Sequence, residues 1–316
     1  MIRVLIATAL LTLPTPSPVD PVDIAEPAIV SVSVTWHGWV RDKQTGEVFG
    51  GAKGYEVKAS CPGAVINPAG YVVTTSSCIH SGVDGGSGAL FDAAIKDLAK
   101  VGRIGDPSAA RKTLAERAVA EGPAPDRSLG RVVKVDRDNA TVVDLLAPAD
   151  GDIAVLWIPR SGLPSVEVGA AGPIHTMRDG LALDAQGRLI GLARHNDRVA
   201  QAHVVNGLMR DIKPALGTHD RNYRTGLERY YARAYDSAVD YFTAVVADSP
   251  THVHAAQFRD KAIAKGGAPS SGHDLMTLLA YILGAVTLIA GGLGVWLVRR
   301  QAAAERHAPL QPSLTP

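Results

Sequence analysis

Cysteine is nearly absent: the 316 residues hold two, Cys61 and Cys78. Two thiols cannot make the usual four-ligand zinc site without two suitably spaced histidines, and no regular cysteine framework is present. Neither a metal nor a cofactor is expected. An excess of charge of one sign is lacking too. The formal net charge is +1, so no global basic character points to a nucleic-acid partner. The hydrophobic content of 46% fits a folded chain, but it is raised by two apolar runs, one near each end.

The two runs differ in length. Met1-Ile2-Arg3 precedes an apolar stretch over residues 4–13 and a Pro/Ser/Thr-rich exit to Pro18. A basic start, a short apolar core and a polar exit predict a secretory signal peptide over 1–18. The stretch is too short for a bilayer, which takes about twenty residues. No small-x-small site fixes the cut. Residues 275–298, by contrast, carry no charge and are long enough to form a transmembrane helix. Arg299 and Arg300 follow at once, which places the 299–316 tail in the cytoplasm and residues 20–274 outside. The expected location is therefore the cell membrane, with a single pass. Ala280, Gly284, Thr287, Gly291 and Gly294 line one face of the span. Self-association through Ala280, Gly284, Gly291 and Gly294 and mere membrane-helix composition both account for the stripe. Export to an oxidising compartment makes a Cys61–Cys78 disulfide the expectation.

Between the ends, strand signals come first. Residues 26–40 alternate branched apolar with small polar residues, the period of a half-buried strand. Residues 42–54 read as a polar turn, 55–60 as a strand, and 60–78 as a hairpin around Pro68-Ala69-Gly70. A loop at 80–88 then leads to two helical stretches, 89–101 and 107–120, which interrupt the strand series. Strands resume at 130–136 and 140–146, and Gly151-Asp152 heads the apolar strand to Pro159. A strand running into a helix over 199–215 closes the domain.

Several ordered segments resemble the HtrA/Deg branch of the trypsin-like serine proteases. They are Pro27-Ala28-Ile29-Val30-Ser31-Val32, Val65-Ile66-Asn67-Pro68-Ala69-Gly70-Tyr71-Val72-Val73-Thr74, Asp152-Ile153-Ala154-Val155-Leu156, Leu163-Pro164-Ser165-Val166-Glu167-Val168-Gly169 and Asp184-Ala185-Gln186-Gly187-Arg188-Leu189-Ile190-Gly191-Leu192. The resemblance implies a mainly β, trypsin-like barrel domain over 26–217, with a helical insertion at 89–121. The cysteine pair also resembles the disulfide that brackets the histidine loop in many such enzymes.

The chemistry departs from the family. Such a protease needs a hydroxyl nucleophile, an imidazole base, an orienting carboxylate and N–H donors for the oxyanion. The family's histidine falls on Ser77, whose hydroxyl cannot act as a base near neutral pH. The nucleophile turn falls on Thr176-Met177-Arg178-Asp179-Gly180, which puts Arg178 at the serine position. Only Asp152 survives, expected to pair with a hydroxyl or an arginine. Residues 170–175 replace several family strands, so the second barrel is expected to be abbreviated. His80, His175 and Ser76 are the residues from which a displaced triad would be built, and none has a Gly-x-Ser-x-Gly turn beside it.

Residues 218–265 change character. Gly226-Leu227, Tyr230-Tyr231, Tyr235, Ala238, Phe242 and Pro250 resemble a tetratricopeptide repeat plus the first helix of a second. Ala238 would let the helices approach, aromatic rings would fill the space around it, and Pro250 would start the next helix. The expected whole is a membrane-anchored trypsin-like pseudoprotease that binds a protein or peptide partner. The alternatives are an active serine endopeptidase with a displaced triad and a sensor that signals through the span.

Overall fold

The predicted alternation becomes the longest of the described strands. In the computed structural model residues 18–194, 198–209 and 212–269 are described. β1 runs Ile29–Asp42, with Val32, Val34, Trp36, Val40 and Asp42 buried at every second or fourth position. Its length lets it serve several partners. β3 (Tyr55–Asn67) lies along one edge and β6 (Gly130–Val135) along the other, while its far end holds β2 (Val48–Phe49) and β5 (Ala118–Glu121). β4 (Tyr71–Thr74), β7 (Asp138–Asn139), β8 (Thr141–Leu145) and β9 (Ala154–Trp157) complete a nine-stranded antiparallel sheet. Its main order is β7-β6-β1-β3-β4-β9-β8. A second antiparallel sheet has four short strands in sequence order: β10 (Thr176–Arg178), β11 (Leu181–Leu183), β12 (Leu189–Ala193) and β13 (Val199–Gln201). One apolar core joins the two sheets, with Val32, Ile66 and Val155 from the first and Leu181, Leu189 and Leu192 from the second.

The helices are α1 (Pro21–Ala25), α2 (Ser76–Ile79), α3 (Gly86–Lys100), α4 (Pro107–Arg117), α5 (Val205–Leu208), α6 (Thr218–Tyr231), α7 (Tyr235–Asp248) and α8 (Val253–Ala264). α3 and α4 pack on the far end of β1 through a satellite cluster that includes Val40, Leu90, Phe91 and Leu114. α6, α7 and α8 share a core of Tyr223, Leu227, Ala238, Phe242, Ala255 and Phe258. Among the described residues no helix is long and apolar enough to cross a membrane. The expected span at 275–298, with its Ala280, Gly284, Gly291 and Gly294 stripe, lies outside those residues, as do the 299–316 tail and nearly all of the 1–18 leader.

Several local expectations are corrected. Residues 118–121 form β5 and do not continue the helix, because Trp39–Asp42 offers free strand backbone to pair with. The Ala-Val-Ala-Glu sequence is helix-compatible, and tertiary pairing overrides it. α3 begins at Gly86, inside the expected 80–88 loop. The hairpin strand does not reach Cys78; it ends at Thr74 and the chain turns into α2. α8 starts at Val253 with His252 as its cap, so Pro250 lies in the preceding turn. Asp20 caps α1 (Pro21–Ala25), a helix not expected above, and Val19 and Ile24 pack against the α6–α8 core.

The hairpin turn itself is a point of strict demand. Gly70 has φ +94°, and a Cβ there would lie 2.3 Å from the Ile158 carbonyl oxygen and 2.7 Å from that of Arg160. Gly70→Ala should therefore lower stability by about 1–3 kcal/mol through strain and backbone displacement. Urea denaturation checks this, and an unchanged midpoint would refute it.

Candidate functional site

The three residues that the resemblance puts at the triad positions, Ser77, Asp152 and Arg178, divide into two that meet and one that does not. Ser77 lies in the first turn of α2. Asp152 sits just ahead of β9 in the left-handed region, φ 56°, and is 1% exposed. Its carboxylate joins the two. Oδ1 accepts the Ser77 N–H at 2.6 Å and the Ser76 hydroxyl at 3.1 Å, and Oδ2 accepts the Ser77 hydroxyl at 3.2 Å. The remaining partner is Arg194, which follows β12: its Nε lies 2.7 Å from Oδ2. Arg194 is held in turn by the Pro148 carbonyl at 2.7 Å. A carboxylate has about four lone-pair sites, and here four donors engage it. Nothing is left to orient an imidazole. The group instead clasps α2 of the first sheet's rim to the end of β12 in the second sheet.

Arg178 stands apart. It ends β10, with its guanidinium on Glu26 at 2.9 Å and on Asp179 at 3.2 Å. Asp179 and Gly180 both have positive φ, 46° and 82°, and Arg178 pairs directly with Leu181. This is a two-residue hairpin of the I′ type, for which Asp-Gly is a strong local signal. Such a turn points its amides into its own ladder, unlike a nucleophile loop that presents them to an oxyanion. The Asp179-Gly180 pair could have revealed the hairpin from the sequence.

The histidines near these positions have other surroundings. The His80 Nδ1 accepts the Gly82 N–H at 3.1 Å, and His175 is exposed. Among the described residues no imidazole hydrogen-bonds Ser76, Ser77 or Asp152, and no three His, Cys, Asp or Glu side chains group as metal ligands. A half-open cleft of about 560 Å³ lies elsewhere, lined by Trp36, Ser81, Ser87, Ser128 and Arg131. The Arg131 guanidinium is tied to the Ile79 carbonyl at 2.7 Å.

The cysteines are bonded to each other, joining β3 to α2 across 17 residues of chain. Closing a loop of that size stabilises by about 3 kcal/mol in the chain-entropy account. The bond also holds α2 where Ser76 and Ser77 can reach Asp152.

No protein-family model matches this chain. No curated protein matches it either. Among solved structures it is similar to the crystal structure of Rv3671c protease from M. tuberculosis, active form, with 13% identity over 68% of this chain and 98% of that one. The TM-score is 0.29, so fold and activity rest on this chain's own residues.

Proposed function

We propose that the chain is a membrane-anchored, extracytoplasmic trypsin-like pseudoprotease that serves as a binding or assembly module. The observation that carries this reading is the saturated Asp152 carboxylate, held by Arg194, Ser76 and Ser77 in place of a histidine. Catalysis by a serine needs a base within hydrogen-bond reach of its hydroxyl. Ser77 instead donates to a carboxylate already committed to a cation, and the position aligned with the nucleophile is an arginine in an ion pair. What persists is scaffold: the hairpin, the disulfide and a core shared by the two sheets. The tetratricopeptide-like helices at 218–265 would supply a second surface for a protein or peptide partner, and the apolar run at 275–298 would hold both at the membrane.

A fluorophosphonate probe separates this reading from an active endopeptidase. The native ectodomain should remain unlabelled under conditions that label trypsin to completion. Serine labelling that disappears on prior heat denaturation would overturn the proposal. For the binding role, partner recovery by the ectodomain should fall when residues 218–265 are removed. Equal recovery would take the helices out of the account.

A further inference from the structure

Helix α8 is capped by an imidazole. The His252 Nδ1 accepts the Ala255 N–H at 3.0 Å, so the ring proton sits on Nε2. That Nε2 has no partner, and the residue is 2% exposed. The ring lies 4.7 Å from that of Tyr223 on α6. The Tyr223 hydroxyl donates to the Asp23 carbonyl of α1 at 3.1 Å, so the same contact reaches the N-terminal segment.

We infer that His252 is an acid-sensitive latch, and that protonation of its ring releases the start of α8 from α6. A proton on Nδ1 would remove the side-chain acceptor that caps the helix. It would also place a cation at the positive end of the helix dipole and leave that charge buried. The surroundings offer little relief. α6 presents His219, Asp220 and Tyr223; α8 itself presents His254; α1 and its continuation bring Asp23 and Glu26 toward Tyr223; and α7 adds only the apolar Phe242 to this aromatic cluster. The Asp220 carboxylate is engaged by Ser165 and Gly217, and that of Glu26 by Arg178. Burial, with His254 and His219 acting in the same direction, pushes the His252 pKa down from 6.5 to about 4. The neutral ring therefore stabilises the closed form. That contribution is complete above pH 6.5 and is lost as the pH falls toward 4, because the opened form takes up the proton first. Opening should rise about tenfold per pH unit across this window, on the order of a hundredfold in all.

Hydrogen exchange tests the latch. In the full ectodomain the protection factors of the amides of residues 255–264 should fall about tenfold per unit between pH 6.5 and 4. His252→Asn keeps a strong cap without a titrating group. It should lower protection by the same factor at every pH, because the ring contact with Tyr223 is gone, and so abolish the slope. A flat wild-type profile, or an undiminished slope in the variant, would overturn the inference. Should the variant not fold, NMR titration of the wild-type ring decides: a His252 that titrates near pH 6.5 in the folded protein refutes the latch, and one that stays neutral to about pH 4 supports it.

Discussion

Asp152→Ala should destabilise the protein by about 3–5 kcal/mol, the range for removing one partner of a buried ion pair. The reason lies in what remains behind. Arg194, with a side chain 22% exposed, would keep its charge without a counterion, and the Ser77 N–H and two hydroxyls would lose their acceptor. At about 2–4 °C per kcal/mol for a domain of this size, the melting temperature should fall by about 10 °C. Asp152→Ala combined with Arg194→Met should recover much of the loss, because the stranded charge goes with its partner. Denaturation of the single and double variants measures the coupling. Independent, additive effects would mean that the carboxylate does not serve as the clasp between the sheets.

Asp220→Ala should have an effect of similar size at a different joint. Asp220 is 4% exposed and lies in the first turn of α6. Its carboxylate accepts the Gly217 N–H at 2.7 Å, the Ser165 N–H at 2.8 Å and the Ser165 hydroxyl. It thus caps its own helix and ties that helix to the segment between β9 and β10. The Ser165 hydroxyl can turn to the Ala215 carbonyl at 3.0 Å, but the two N–H donors would be stranded at about 1–3 kcal/mol each, about 2–5 kcal/mol together because they are not independent. The damage should be local. Limited proteolysis should cut the 212–217 connection at least tenfold faster in the variant, while the first sheet stays protected. A variant cleaved at the wild-type rate would show that the α6–α8 unit is held by its apolar contacts alone. Asp220→Asn, which keeps one acceptor oxygen, should fall between the two.

These two carboxylates show where reading the chain reaches its limit. Asp152 was recognisable as a lone acidic residue ahead of an apolar strand, and its need for a hydroxyl or an arginine follows from the cost of a buried charge. That Arg194 would meet it was not visible, because no local pattern links residues 42 apart. The resemblance puts Ser77 at the histidine position through its place beside Cys78. It puts Arg178 at the serine position, whereas Asp179-Gly180 is by itself a local signal for a tight hairpin.

Composition and periodicity alone decided the mainly β character and the two helical stretches after the hairpin; the helical run from 218 came from its likeness to a tetratricopeptide repeat. The first two follow from a repeat of two or about 3.6 residues, and such repeats are properties of neighbouring positions. Tertiary structure decided the rest. It made β5 a strand because β1 had backbone to spare, and it laid α1 against α6 across 200 residues of chain. It also placed a histidine ring where a cap was needed, and made the Asp152 carboxylate a clasp between two sheets. For β5, α1 and Asp152 the partner is distant in sequence, whereas His252 caps an N–H three residues on and is buried against Tyr223 of α6; the energy of a buried donor, acceptor or charge depends on which surroundings folding delivers.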